Sequence, residues 1–298
     1  MDVIRDNAAV RRQLVTARRA GHTIGLVPTM GYLHAGHMSL IERARRECDR
    51  VVVSIFVNPT QFGPGEDFDR YPRDEARDLA LCESAGADWI YAPSVDQLYP
   101  HGPGTSVVPP EAITQSLCGA FRPGHFTGVA TVVAKLFALW QPDRAYFGLK
   151  DFQQTAVIRR MADDMGFGVE VVLVPTRREP DGLAMSSRNV YLSPEERLKA
   201  LAIPRALQAG WETARRPGVN PHDVLNTARS VLAAEPALGV QYVELVDQDT
   251  LAPLEDLSKP GVLAVAAKLG VTRLIDNASL VGPAPLEHAG HDRLERLP

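Results

Sequence analysis

Cysteine is nearly absent: the 298 residues hold three, Cys48, Cys82 and Cys118, far apart and with no CxxC among them. This excludes a disulfide framework and leaves no pair at zinc-ligand spacing, so a reducing compartment, the cytoplasm, is expected. Long apolar runs are missing as well. The longest are about strand length, short of the ~20 residues of a membrane span, so no membrane partner is expected. The opening Met1-Asp2-Val3-Ile4-Arg5-Asp6 lacks the basic-then-apolar plan of a signal peptide. Neither sign of charge dominates: the net charge is −4 and the pI near 6.1, which excludes a broad basic surface for nucleic acid. Any anion site has to be local.

Familiar catalytic signatures are also lacking. There is no G-x-x-x-x-G-K-[ST], no G-x-G-x-x-G after a strand, no HExxH and no G-x-S-x-G. P-loop enzymes, NAD enzymes, zinc peptidases and serine hydrolases are therefore not expected. What the chain does have is core material, 45% hydrophobic against 23% charged, enough for one large or two ordinary domains.

Residues 6–20 carry apolar positions at Val10, Leu14, Val15 and Ala17 among arginines, an amphipathic helix with one packed face. Ile24 to Val27 reads as a short buried strand broken at Pro28 and Gly31, and a helical pattern starts near Gly36. Val51 to Val57 (VVVSIFV) is a strand buried on both faces, which makes a right-handed parallel βαβ unit. A polar loop follows over residues 58–72, then a helix over 74–85, a strand at 89–91, and a Pro- and Gly-rich excursion from 93 to 110. A helix over 127–140, a strand at 144–147, a helix to about 165 and a buried strand at 169–174 continue the alternation. After Pro175 the pattern changes to helices at 194–210 and 221–235 and strands near 240–246, 262–268 and 272–276. Ser193-Pro194-Glu195-Glu196 has the form of a helix start. The expected fold class is α/β, a Rossmann-like parallel sheet with helices on both faces, plus a smaller C-terminal α+β domain. Domains are expected at 1–175 and 176–283, with a loose tail at 284–298.

The stretch Val27-Pro28-Thr29-Met30-Gly31-Tyr32-Leu33-His34-Ala35-Gly36-His37 joins a strand to a helix N-terminus. Free N–H groups and a partial positive charge suit phosphate there. His34 and His37, three apart, face one way on the first turn and can donate hydrogen bonds to a phosphoryl group. Metal ligation by the pair would need a third ligand. Gly148-Leu149-Lys150-Asp151 is a second strand-to-helix turn, with a lysine for phosphate charge, a glycine allowing close approach and an aspartate able to cap the next helix. Met185-Ser186-Ser187-Arg188 combines two hydroxyls with a guanidinium, and Gly182 before it reads as a hinge that lets this segment close over phosphates. Asn58, Gln61 and Gln154 are neutral amides suited to a carboxylate or hydroxyl. For His22, His101, His222, His288 and His291 a plain surface or core role is expected.

Taken together, PTMGYLHAGHMSLI, SIFVNPTQFGPGEDFDRYPR, CGAFRPGHFTGVATVV, YFGLKDFQQ and REPDGLAMSSRNVYLS resemble the pantothenate synthetase (pantoate–β-alanine ligase) family, in the family's order. HAGH and MSSR look like the two signatures of the nucleotidylyltransferase superfamily. The resemblance implies ATP-dependent condensation of (R)-pantoate with β-alanine through pantoyl adenylate, releasing pyrophosphate and AMP, with Mg2+ accompanying ATP, in a homodimer. It implies catalytic roles for His37 (the family's proton donor), His34 and Lys150. ATP contacts would come from Met30, Gly31, Leu33, His34, Gly36, His37, Gly148, Lys150, Asp151, Arg177 (mainly backbone), Met185, Ser186, Ser187 and Arg188. Gln61 would touch pantoate and β-alanine, and Gln154 and Asn58 pantoate; no metal ligand is implied. Leu149 and Arg177 depart from the family's usual Glu and Val or Ile. Two rivals remain: another adenylyl- or cytidylyltransferase without the amide-forming step, and a nucleotide-binding regulator without turnover.

Overall fold

The computed structural model describes residues 1–102 and 104–287; the expected tail beyond Glu287, with His288 and His291, lies outside the described residues. The chain divides into two compact units, Met1–Pro175 and Thr176–Pro298.

The first unit runs β1 (Asp2–Ile4), α1 (Asn7–Arg19), β2 (Ile24–Thr29), α2 (Ala35–Glu47), β3 (Arg50–Ile55), α3 (Glu75–Ser84), β4 (Trp89–Tyr91), the short helices α4 (Val95–Leu98), α5 (Glu111–Thr114) and α6 (Leu117–Phe121), then α7 (His125–Trp140), β5 (Arg144–Gly148), α8 (Phe152–Asp164) and β6 (Glu170–Val174). Its sheet has six parallel strands in the order β1-β4-β3-β2-β5-β6. Alternation along β4 shows why both faces are covered. Ile90 joins Val51 and Val53 against Leu40, Ile41 and Ala44 of α2 and Cys82 of α3. Its neighbours Trp89 and Tyr91 turn the other way, onto the fully buried Trp140 of α7. The chain leaves β2 through β3 and β4 toward one edge and returns through β5 on the other side. The C-terminal ends of β2 and β5 therefore flank a topological switch point, where open α/β sheets bind ligands.

The second unit holds α9 (Pro194–Ala200), α10 (Ala202–Thr213) and α11 (Pro221–Ala233), then an antiparallel sheet β7-β8-β9 of Gly239–Asp247, Gly261–Leu269 and Thr272–Ser279. Ala206, Leu207, Val224 and Ala228 of the helices bury against Leu263, Val265 and Leu274 of the strands. Along β9, Thr272, Leu274, Asp276 and Ala278 alternate inward, so one core-facing position carries a carboxylate.

Several elements differ from the sequence expectation for identifiable reasons. β1 is an extra strand, three residues with one buried side chain, too short to show a period. β2 runs through Pro28. Ile24 O accepts on the β5 side and Thr29 O on the β3 side, so alternation puts the Pro28 nitrogen toward β5, where pairing ends at Leu26. β3 stops at Ile55, and β6 is a half-exposed edge instead of a buried strand. The helix expected over 194–210 breaks at Leu201, because Pro204 has no N–H for the Ala200 carbonyl. The start at Ser193 is a full capping box with Glu196.

Candidate active site

β2 ends in a turn with two consecutive left-handed residues, Gly31 at φ 82° and Tyr32 at φ 49°. Gly31 is needed twice over, since a Cβ there would lie 2.9 Å from Asp78 Oδ2. Tyr32 carries a strain cost of about 1 kcal/mol or more that the surroundings must offset. They do so through Asp78 on α3, only 1% exposed, whose two oxygens accept the Tyr32 and Leu33 N–H groups at 2.7 Å each. Burial raises the Asp78 pKa while those N–H groups work the other way. Thr29 Oγ1 accepts from the Gly31 N–H and donates to Ser54 O, tying the turn back to β3.

The helix that follows is capped by histidines. His34 is the N-cap, and its Nδ1 accepts the Gly36 N–H at 3.2 Å; His37 Nδ1 accepts the His34 N–H at 3.3 Å. This is a reciprocal capping box with imidazoles in place of Ser and Glu. The ring centroids are 4.1 Å apart. Burial, then His37, then Lys150 push the His34 pKa down to about 2; burial, then Lys150, push His37 to about 4. Both rings are therefore neutral at pH 7. With each Nδ1 accepting, hydrogen bonding assigns the proton to Nε2, leaving two Nε2–H donors.

Lys150 belongs to the turn after β5, the strand next to β2, and its charge reaches both histidines. Its Nζ lies 3.6 Å from Asp151 Oδ1, the lysine side chain 19% exposed and the aspartate 45%. Asp151 is the N-cap of α8, but its side chain makes no capping bond, contrary to the expected cap; the carboxylate sits by Lys150 instead. A Cβ on Gly148 would meet nothing within 4 Å, so no group among the described residues requires glycine there. On α8, Gln153 is consumed by Cys118 N, Ile113 O and Ser116 O, while Gln154 lies half-buried beside it.

On the other flank of β2, Asn58 and Gln61 follow β3. Asn58 is 1% exposed and committed to protein: Nδ2 donates to Gln61 Oε1 and Gly128 O, and Oδ1 accepts from Tyr99 and Thr60. It positions Gln61, whose Nε2 donates to Met30 Sδ at 3.1 Å. Gly128 of α7 lets this turn approach, since a Cβ there would lie 2.3 Å from Thr60 O.

Sequence reasoning passed over four side chains of the site, and three of them complete this half. Arg122 donates to both oxygens of Glu66, meets His125 Nε2 at 2.9 Å, and donates to Gln61 O; His125 Nδ1 also lies 2.8 Å from Gln61 O. Burial, then Arg122, lower the His125 pKa to about 4. Burial opposes ionisation of Glu66, but Arg122 outweighs it and holds the carboxyl below its usual range. The fourth is Asp78. Its signal was a charged residue four before buried Cys82, on the core-facing stripe of its helix.

In the second unit, the segment before α9 folds back as a hairpin: Glu179 N donates to Leu183 O, Gly182 N to Glu179 O, and Met185 N to Arg177 O. Gly182, at φ 93°, would bring a Cβ within 2.7 Å of Leu286, so it closes a packed turn where a hinge was expected. Ser186 caps a 3-10 turn over Ser187–Tyr191 by accepting the Arg188 N–H, and Ser187 is buried. The backbone oxygen of Arg177 is taken by Met185.

Among the described residues no group of three His, Cys, Asp or Glu is placed to hold a metal ion, and no helix is long and apolar enough to cross a membrane. A groove of about 820 Å³ lies elsewhere, between α1 and the C-terminal half of α7.

A family model for pantoate–β-alanine ligase matches residues 2–279. A pantothenate synthetase from Moorella thermoacetica is 51% identical over 94% of this chain and 99% of its own length. Pantothenate synthetase 1 of Bradyrhizobium diazoefficiens is 56% identical over 94% and 98%. Crystal structures extend the likeness to three dimensions. The Thermus thermophilus pantothenate synthetase matches with a TM-score of 0.90 at 51% identity, covering 94% of this chain and 99% of that one. The Francisella tularensis pantoate–β-alanine ligase, solved with β,γ ATP and β-alanine, matches with a TM-score of 0.75 at 32% identity, over 95% and 99%. At that identity and coverage, this chain belongs to the pantoate–β-alanine ligase family.

Proposed function

We infer that this protein is an AMP-forming ligase that joins (R)-pantoate to β-alanine with cleavage of ATP, as its family membership implies. The observation that carries the chemistry is the pair of neutral histidines, locked with Nδ1 accepting, at a helix N-terminus beside Lys150. In the first step a pantoate carboxylate oxygen bonds to the α-phosphorus and the bond to the β-phosphate oxygen breaks, releasing pyrophosphate. Both reactants are anionic, so the step needs donors that are already in place. His34 and His37 supply Nε2–H groups without carrying charge, and Lys150 supplies the positive charge. In the second step the uncharged amine of β-alanine attacks the acyl carbon, AMP leaves, and the amine loses its proton.

We further propose these contacts. ATP is held by Met30, Gly31, Leu33, His34, Gly36, His37, Gly148, Lys150 and Asp151. Met185, Ser186, Ser187 and Arg188 of the second unit bind the triphosphate, and the Arg177 backbone contacts adenine. Gln61 serves pantoate and β-alanine, Gln154 pantoate, and Asn58 acts through Gln61. Magnesium enters with ATP as part of the substrate, on the phosphate oxygens. The three cysteines are buried thiols, which fits the cytoplasm. A homodimer is the proposed assembly, tested by light scattering. The decisive assay gives the purified protein ATP, pantoate and β-alanine: AMP and pantothenate should form one for one. Pyrophosphate release that ignores pantoate would instead favour a plain nucleotidylyltransferase.

A further inference from the structure

We propose that the buried pair Arg178–Asp276 is a latch that positions the segment 185–188 for ATP, making β9 a working part of the nucleotide site. The inference rests on the reading above that this segment binds the triphosphate.

Asp276 is the one charged residue on the core-facing side of β9, and the pair is almost sealed, with the Arg178 side chain 6% exposed and that of Asp276 3%. The grip is two-pronged: Nη1 donates to Oδ2 at 2.6 Å and Nη2 to Oδ1 at 3.1 Å. Nη1 also donates to Gly182 O at 3.1 Å, so one guanidinium holds both the strand and the far end of the hairpin turn. Asp276 Oδ1 is further satisfied by the Asn277 N–H. The hairpin is pinned at the next level by the bridge between Arg178 and Ala184 and by Met185 N on Arg177 O. Beyond the segment, Asn189 Nδ2 donates to Ala184 O and to Glu179 Oε1. Residues 185–188 are thus slung between two tied ends, and both ties lead back to the turn that Arg178 anchors.

Core stability alone does not call for ions at this place. A buried ion pair is often matched or bettered by apolar side chains of similar volume, because desolvation offsets the attraction. What apolar residues cannot reproduce is the planar fork, which fixes angle as well as distance. The chemistry of the pair is therefore that of a positioning device, and Arg178 and Asp276 are positioning residues that act through the hairpin.

The test separates position from stability. The double variant R178M/D276L removes both charges and keeps apolar bulk; R178K keeps the charge and loses the fork; R188A tests the contact itself. ATP, pantoate and β-alanine KM are measured together with the thermal midpoint and amide exchange over residues 183–191. The double variant should melt near the parent, exchange faster over 183–191, and raise the ATP KM about tenfold or more, with the other two KM values within about twofold. R178K should fall between it and the parent, and serves as the measure should the double variant fail to fold. If R188A raises the ATP KM while the folded latch variants leave it and the exchange unchanged, the latch is wrong. If neither R188A nor the latch variants move the ATP KM, the assignment of the segment to ATP is wrong and the proposal falls with it.

Discussion

Two segments proposed to meet ATP, residues 30–37 in the first unit and 185–188 in the second, are each held by one buried carboxylate, but by different means. Asp78 reaches the backbone directly and accepts two N–H groups from a turn with two left-handed residues. Asp276 works through a side chain, with Arg178 carrying its grip to Gly182 O. The first arrangement forces a strained backbone and faces only neutral partners. The second fixes an ordinary hairpin and faces a full charge. Losing the acid should therefore cost unequal amounts for unequal reasons.

The largest effect should come from Asp276→Ala, which strands a buried guanidinium: about 3–5 kcal/mol lost from the second unit. Urea unfolding followed by amide exchange on β7–β9 measures it. A loss under about 1 kcal/mol would mean that Arg178 finds water or another acceptor, and the contrast with Asp78 would disappear. Next is His37→Ala, which removes a donor that the Asp78-held turn presents. Adenylate formation, read as pantoate-dependent pyrophosphate release, should fall at least about a hundredfold, roughly 2.7 kcal/mol. Turnover near that of the parent would leave the neutral imidazole without a part in the chemistry.

Asp78→Asn comes third. An amide offers one acceptor where the carboxylate offers two, and its NH2 must oppose either the Tyr32 or the Leu33 N–H. One buried N–H left unsatisfied costs about 1–3 kcal/mol. The loss should appear as faster amide exchange over residues 30–37 and a lower rate of adenylate formation, with the β7–β9 sheet unaffected. If the sheet loosens as much as the turn, Asp78 is a general core residue and not a local clamp.

The same contrast separates what could be read from the sequence from what could not. The 28–37 turn is legible because its signals are local: Gly31 next to a strand end, and two histidines at helical spacing. Lys150 is legible in the same way, as is the Ser193 capping box. The clamps are not. Asp78 lies 46 residues from Tyr32, and Arg178 lies 98 from Asp276. No periodicity pairs them, and on its own each reads as a solvated charge. Glu66, Arg122 and His125 are invisible for the same reason, although all three stand inside motifs whose resemblance is plain. Asn58 shows the reverse case. Its amide marked it as a ligand group, but the fold commits every arm of it to holding Gln61 and its surroundings.

The smallest effect is the dependence on pH, and it should divide the units. His37 and His125 have folded pKa values near 4, and His34 near 2, against an ordinary 6.5. A histidine depressed in this way contributes stability that is fully present above about 6.5 and is lost as pH falls toward the folded value, because the unfolded chain takes up the proton first. All three lie in the first unit, so between pH 6.5 and 4 the 30–41 and 58–66 regions should lose exchange protection ahead of β7–β9, after correction for intrinsic exchange. Asp78 opposes the trend, since its raised pKa lets the folded state bind a proton earlier, but only near the carboxylate range. His125→Gln should flatten the slope, while Glu195→Gln, on the exposed start of α9, should not. The catalytic counterpart follows from the same shifts. Because His34 and His37 are already neutral in the free enzyme, kcat/KM for ATP should show no histidine limb near pH 6.5. A limb there that vanishes in His37→Ala would mean that the turn presents an imidazolium, and that burial does not outweigh the attraction of the incoming phosphates.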